Sequence, residues 1–105
     1  MTVLNVSSLT VKPDRYEDFL TTTRKAKEIL EKHGARNVRL LVAMTAGQAS
    51  GTFALSSEYD DFTDAGRALD KFFADAEGLA LMMESNSTTG PTASWQASTW
   101  VEIPL

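Results

Sequence analysis

The chain has 105 residues and a formal charge of −4 at pH 7, with 43% hydrophobic and 23% charged residues. This length and composition predict one globular domain spanning residues 1–105. Lys and Arg form no cluster beyond one mixed helix face, which argues against nucleic acid and anionic membranes as partners. Because there is no cysteine, a disulfide, a thiolate nucleophile and a Cys-based metal site are excluded.

The first residues lack the charged region and apolar run of a signal peptide. No apolar stretch reaches the length of a membrane span. We therefore expect a cytoplasmic protein.

Residues 3–11 alternate and are rich in β-branched side chains, which predicts a first strand. A helix follows, with Pro13 in its first turn and Gly34 just beyond its end, where the left-handed conformation favours glycine. Its apolar face recurs at steps of three and four residues, through Tyr16, Phe19, Leu20, Thr23, Ala26, Leu30 and His33.

Residues 37–45 and 52–58 alternate as a second and a third strand, and the small, polar segment 46–51 is typical of a hairpin loop. Asp60 and Asp61 are expected to cap a second helix. Its apolar pattern is interrupted around Asp75, which predicts a kink or a new helix start. A polar loop, residues 85–93, leads to a fourth strand at 94–103.

The resulting order β-α-β-β-α-β predicts an α+β, ferredoxin-like fold: a four-stranded antiparallel sheet with both helices on one face. The other face would be bare, yet it is half apolar, through Leu4, Val6, Leu41, Ala43, Ala54 and Trp100. A bare apolar sheet face usually pairs with another one, so we expect a homodimer that buries sheet against sheet.

Three segments resemble the dimeric α/β-barrel superfamily of ferredoxin-like domains, in particular its antibiotic-biosynthesis-monooxygenase and NIPSNAP-like branches. They are VSSLTVKPDRYEDFL, EKHGARNVRLL and SEYDDFTDAGRALDKFFADAEG. The resemblance covers nearly the whole chain and implies a dimeric α/β barrel. Members include cofactor-free monooxygenases, haem-degrading enzymes, lactone isomerases, polyketide cyclases and proteins without known activity, so fold carries over better than function.

The resemblance also implies a pocket between the helices and the sheet. Five residues fall on the helix-facing side by parity: Asn5, Ser7, Ser57, Trp95 and Thr99. Because the first helix runs back along the first strand, Asn5 is expected near His33 and is its candidate hydrogen-bond partner. An Asn–His–Trp set resembles the haem-degrading branch, but Ser7 rather than Asn5 aligns with that branch's Asn, and its haem ligand comes from the second helix. We therefore expect no cofactor.

His33 is the single histidine and has two interpretations. It is either a helix C-terminal residue stabilised by the helix dipole, or a general base with Asn5 as its partner. Trp95 and Trp100 have opposite parity, so one of them at most lines the pocket, and either suits a core or dimer interface. Tyr16 is a further candidate for the pocket wall, or with Tyr59 a half-buried anchor at an element end. One histidine and no cysteine disfavour a transition-metal site.

The hypothesis that these observations favour is a homodimer that binds a small apolar or aromatic organic molecule between helices and sheet. An enzymatic alternative is a cofactor-independent monooxygenase or polyketide cyclase/isomerase, with catalytic His33 and Asn5. A second alternative is a non-enzymatic structural or interaction domain.

Overall fold

The computed structural model describes residues 1–44, residue 47 and residues 51–105. Its elements are β1 (Val3–Val11), α1 (Tyr16–Lys32), β2 (Arg36–Val42), β3 (Phe53–Tyr59), α2 (Phe62–Ala74), α3 (Ala76–Ser85) and β4 (Thr92–Val101). The predicted β-α-β-β-α-β order is confirmed, with the second helix divided into α2 and α3. Thr45 and most of the predicted hairpin loop lie outside the described residues.

The four strands form one antiparallel sheet in the order β2-β3-β1-β4, which confirms the ferredoxin-like prediction. On β1, Asn5 lies opposite Ser57 of β3 and Thr99 of β4. Since side chains alternate along a strand, these three residues share one sheet face. The same register places Leu4 opposite Trp100, on the other face.

Both ends of the helical layer pack on the first of these faces. From α1, the ring of Phe19 lies 5.1 Å from that of Phe53. From α2, Ala65 and Ala68 join a core cluster with Val3 and Tyr59. The helices therefore cover the face that carries Asn5, as predicted.

The start of α1 differs from the prediction for Pro13. The helix begins at Tyr16, and Pro13 lies in a turn before it, followed by Asp14 at φ 63°. Aspartate tolerates this left-handed conformation better than most residues, so the chain turns here before the helix starts. The end of the helix follows the prediction, because Gly34 adopts φ 99° immediately after His33.

Asp61 caps α2, since its carboxylate accepts a hydrogen bond from the backbone N–H of Asp64 at 2.8 Å. Asp60 does not share this role, because its carboxylate is paired with the guanidinium of Arg36. The predicted interruption is at Asp75, which ends α2 and caps α3 by accepting from the N–H groups of Glu77 and Gly78. One aspartate therefore redirects the helix.

The core contains apolar residues that the sequence patterns did not place there, among them Ile29 and Tyr59. Ile29 of α1 is buried although it lies outside the predicted apolar face, and Tyr59 is only 2% exposed rather than half-buried at an element end. The remaining buried apolar residues are Val3, Phe19, Ala35, Val38, Ala65, Ala68 and Phe72.

The uncovered sheet face carries large exposed apolar side chains. Leu41 is 48% exposed and Trp100 is 61% exposed. The register aligns Leu41 with Ala54, and Leu4 with Trp100, so the apolar residues form part of one surface. Within residues 1–44, 47 and 51–105, no helix is long and apolar enough to cross a membrane.

Candidate functional site

A groove of about 280 Å³ opens on the helix-covered face, between β1, β4 and α2. The strands contribute Asn5, Ser7, Trp95 and Thr99 to its lining, and α2 contributes the side chains of Leu69 and Phe73. The strand residues meet because β1 and β4 pair with Asn5 opposite Thr99. The structure therefore brings together four of the residues that parity assigned to this face.

Asn5 is one of the polar residues that line the groove. Its Oδ1 accepts a hydrogen bond from Thr99 Oγ1 at 3.1 Å. Its Nδ2 is buried and has no hydrogen-bond partner among the described residues. A buried donor without a partner costs about 1–3 kcal/mol. Such a group is unusual in a folded protein, and it marks this point as a place where a ligand oxygen would be stabilised.

A narrower cleft of about 60 Å³ adjoins the groove, and Trp95 and Ser7 line both spaces. This cleft lies between α1, α3 and the sheet. Its walls are mainly apolar and include Phe19 of α1, Leu55 of β3 and Met82 of α3.

Leu69 and Phe73 are the wall residues that the sequence analysis did not assign to a site. They are 38% and 44% exposed, although they belong to the apolar face of the second helix. Their four-residue spacing places them one turn apart. The sequence signal that could have identified them is their place in the apolar pattern of the second helix.

Two other predicted wall residues do not line the groove. Ser57 is buried directly opposite Asn5, on β3. Tyr16 is about half exposed, and its ring lies 5.8 Å from that of Phe53. Tyr16 therefore packs at the start of α1 and does not line either space.

The structure does not bring His33 and Asn5 into contact. His33 Nε2 lies 2.9 Å from Asp75 Oδ2, and Lys32 Nζ lies 3.2 Å from the same oxygen. An ionised carboxylate only accepts hydrogen bonds, so Nε2 is the donor. The hydrogen bond from His33 holds the pKa of Asp75 well below its usual range, and those from Lys32 and from the N–H groups of Glu77 and Gly78 act in the same direction.

His33 instead lines a separate, polar cavity that also contains Tyr59 and Lys71. Its position fits the interpretation as a helix C-terminal residue, because its backbone forms the C-cap of α1. The missed residue is Asp75, which lies 42 positions away in the sequence. Within the described part of the chain, no group of three or more His, Cys, Asp or Glu residues could hold a metal ion.

Comparison with solved structures supports the same fold. A candidate antibiotic biosynthesis monooxygenase from Bordetella bronchiseptica matches with a TM-score of 0.71 and 16% identity, over 98% of each chain. An uncharacterised NIPSNAP domain protein from Burkholderia xenovorans matches with a TM-score of 0.73 and 13% identity, over 96% of this chain and 94% of the other. A NIPSNAP family protein from Agrobacterium tumefaciens matches with a TM-score of 0.68 and 10% identity, over 97% and 86%.

No protein-family model matches the sequence, and no curated protein matches it. At identities of 10–16%, the structural matches establish the fold and leave the activity open. The resemblance to antibiotic-biosynthesis-monooxygenase-like and NIPSNAP proteins is thereby confirmed at the level of fold.

Proposed function

We propose that this protein binds a small, apolar or aromatic organic molecule with one hydrogen-bond acceptor oxygen. The observation that carries the proposal is the buried Asn5 Nδ2, which has no partner among the described residues. Asn5 lines a groove whose walls include Leu69, Phe73 and Trp95. A ligand oxygen would satisfy the amide, while the ligand body would cover the exposed side chains of the wall.

The described lining of the groove holds no ionisable side chain. Recognition would therefore depend on the Asn5 amide, the Ser7 hydroxyl and apolar contact. This favours a neutral ligand, such as an aromatic ketone, because a charged one would lose its hydration without gaining a counter-charge.

The test is a titration with 1-tetralone, an aromatic ketone, and with tetralin, the hydrocarbon of the same ring system. Binding is followed by the backbone amide NMR signals of Ser7 and Thr99. Because the carbonyl of 1-tetralone can accept one hydrogen bond that tetralin cannot, we expect 1-tetralone to bind about tenfold more tightly than tetralin. Asn5→Ala should remove this difference.

Gln96→Ala is the matched control, since Gln96 carries the same amide group and its partner Ser8 places it on the other sheet face. It should leave both affinities unchanged. Equal affinity of the wild type for ketone and hydrocarbon, or no binding of either, would contradict the proposal.

The enzymatic alternative is a cofactor-independent monooxygenase or a polyketide cyclase/isomerase. The names of the structural neighbours motivate it, and Asn5 and Ser7 would polarise a substrate oxygen. His33 fits a base in this groove less well, because it is bonded to Asp75 and lines another cavity. Turnover of a bound aromatic ketone that is abolished by His33→Ala, with an unchanged melting temperature, would support this alternative.

We also propose that the protein is a homodimer joined through its uncovered sheet face. The exposed Leu41 and Trp100 on that face support the proposal, since burial of such side chains stabilises association. Light scattering at micromolar concentration tests it, and a monomer would contradict it. If the dimer forms but neither probe binds, a structural or interaction domain is the better description.

A further inference from the structure

A second cavity, of about 230 Å³, lies where the ends of α1 and β3 meet α2. It is separate from the groove: none of the residues that line the groove lines this cavity. Among its lining residues are His33 after α1, Tyr59 at the end of β3, and Arg67 and Lys71 on α2. We call it the Tyr59 cavity.

The Tyr59 cavity has one positive charge that is not compensated. Two of its three cationic side chains are paired with lining carboxylates: Arg36 with Asp60, and Arg67 with Asp64 at 3.4 Å. Lys71 forms no ion pair or side-chain hydrogen bond with a described residue. In a chain with a formal charge of −4, this local excess of positive charge favours an anion.

Tyr59, one of the lining residues, carries a second unsatisfied group. The hydroxyl of Tyr59 is buried and has no hydrogen-bond partner among the described residues. The ring itself is held in the core with Val3, Ala65 and Ala68. The unmade hydrogen bond of the hydroxyl costs about 1–3 kcal/mol until an acceptor is supplied.

The His33 ring is also fixed before any ligand arrives. Its Nε2 donates a hydrogen bond to Asp75, the residue that ends α2, and this contact restrains the ring. The cavity thus combines a free ammonium, an unsatisfied hydroxyl and an oriented ring. The hydroxyl and the ring are held by the fold and so lose little freedom when a ligand binds.

We infer that the Tyr59 cavity binds a small organic monocarboxylate. The carboxylate of this ligand would form an ion pair with the ammonium of Lys71 and would accept a hydrogen bond from the hydroxyl of Tyr59. A dianion is less suited, because Asp60 and Asp64 would repel its second charge. The volume is several times the roughly 30 Å³ that a water molecule occupies in the liquid, so it has room for a carbon body as well.

The test is a titration with benzoate, with benzamide as the neutral analogue and inorganic phosphate as the anion of higher charge. Backbone amide signals of Gly34 and Asp60 report on the Tyr59 cavity, and those of Ser7 and Thr99 report on the groove. We expect benzoate to shift the first pair to saturation and to bind about tenfold more tightly than benzamide or phosphate.

Three variants make the assignment specific. Lys71→Met and Tyr59→Phe should each weaken benzoate binding about tenfold, because each removes one partner of the carboxylate. Lys25→Met, which removes an exposed charge on α1, should leave it unchanged. Tyr59→Phe should also keep or raise the melting temperature, since it removes a buried hydroxyl without a partner.

Several outcomes would overturn the inference. They are the absence of saturable shifts at Gly34 and Asp60, equal binding of benzoate and benzamide, tighter binding of phosphate, or unchanged benzoate affinity in Lys71→Met. Shifts at Ser7 and Thr99 alone would likewise refute it, because the ligand would then occupy the groove.

Discussion

His33 Nε2 donates a hydrogen bond to Asp75 Oδ2 across 2.9 Å, and this contact joins the end of α1 to the break between α2 and α3. Lys32 binds the same oxygen, while Oδ1 accepts from the N–H of Glu77 at 3.0 Å. A single carboxylate therefore holds the ends of three helices. The one histidine of the chain is thereby assigned a definite structural partner.

The first prediction concerns the pH dependence of stability. The pKa of Asp75 in the folded protein is held below its ordinary value of 3.8. As the pH falls toward that value, the unfolded chain therefore binds more protons than the folded protein does. The stabilisation from Asp75 is complete above that value and is lost as the pH falls through the lower, folded pKa. We expect Asp75→Asn to lose less stability than the wild type between about pH 6 and about pH 3, measured by urea denaturation.

Asp70→Asn serves as the control, because Asp70 is exposed on α2. Asp70→Asn should lose as much stability as the wild type between about pH 6 and about pH 3. An equal loss in Asp75→Asn would mean that the carboxylate does not contribute to acid sensitivity.

The second prediction concerns the junction of α2 and α3. A Cβ atom at Gly78 would lie 2.4 Å from the carbonyl oxygen of Phe72. Since that oxygen belongs to the backbone, Gly78→Ala should destabilise the protein by about 1–3 kcal/mol. Gly66→Ala is the matched control: it lies inside α2 with no atom within 4 Å of its Cβ.

Gly66→Ala should stabilise the protein by about 0.5–1 kcal/mol, because alanine has the higher helix propensity. Chemical denaturation measures the change in the free energy of unfolding for both substitutions. Equal effects of the two substitutions would show that Gly78 is not needed for the close approach of the backbones.

The third prediction tests the sheet face as a dimer interface. Trp100→Asp places a charge among the exposed apolar side chains, and should weaken association by at least about tenfold. Phe62→Asp is the control, since Phe62 is 55% exposed at the start of α2 and away from this face. Sedimentation velocity over a concentration series measures both. If the dimer dissociation constant of Trp100→Asp equals that of the wild type, the interface does not include this face.

The fourth prediction concerns the loop between α3 and β4. Lys12 Nζ donates to the carbonyl oxygens of Ser87 and Thr88, at 3.2 and 2.8 Å. Arg15 donates to the carbonyl oxygen of Thr89 at 2.9 Å. Lys12→Met should therefore speed amide hydrogen exchange in residues 86–91 and lower global stability by roughly 1 kcal/mol.

Lys27→Met is the comparison for this prediction, because Lys27 is exposed on the middle of α1. In Lys27→Met, amide hydrogen exchange in residues 86–91 should match that of the wild type. Equal exchange rates in Lys12→Met would show that the lysine does not order the loop.

The elements that could be predicted are those with a local, periodic signal. Alternation over nine residues identifies β1 and assigns Asn5 and Ser7 to the correct face. Asp61 is recognisable as a cap, and the polar residues around Asp75 indicate the break. Each of these signals depends on residues within about one or two helix turns of each other.

What could not be predicted depends on contacts between distant parts of the chain. The His33–Asp75 contact spans 42 positions, and the register that buries Tyr59 beside Val3 spans 56. Pro13 was misplaced because a proline suits the first turn of a helix and a preceding turn equally well. The depth of the groove depends on how far α2 lies from β4, which no local pattern expresses.

The alternation of β4 has one experimental consequence. Its two tryptophans, the only ones in the chain, point to opposite sides of the same strand: Trp95 into the groove and Trp100 onto the bare sheet face. The protein thus contains two intrinsic fluorophores in two environments. In Trp100→Phe the emission would report occupancy of the groove, and in Trp95→Phe it would report self-association, so that both equilibria can be followed without a label.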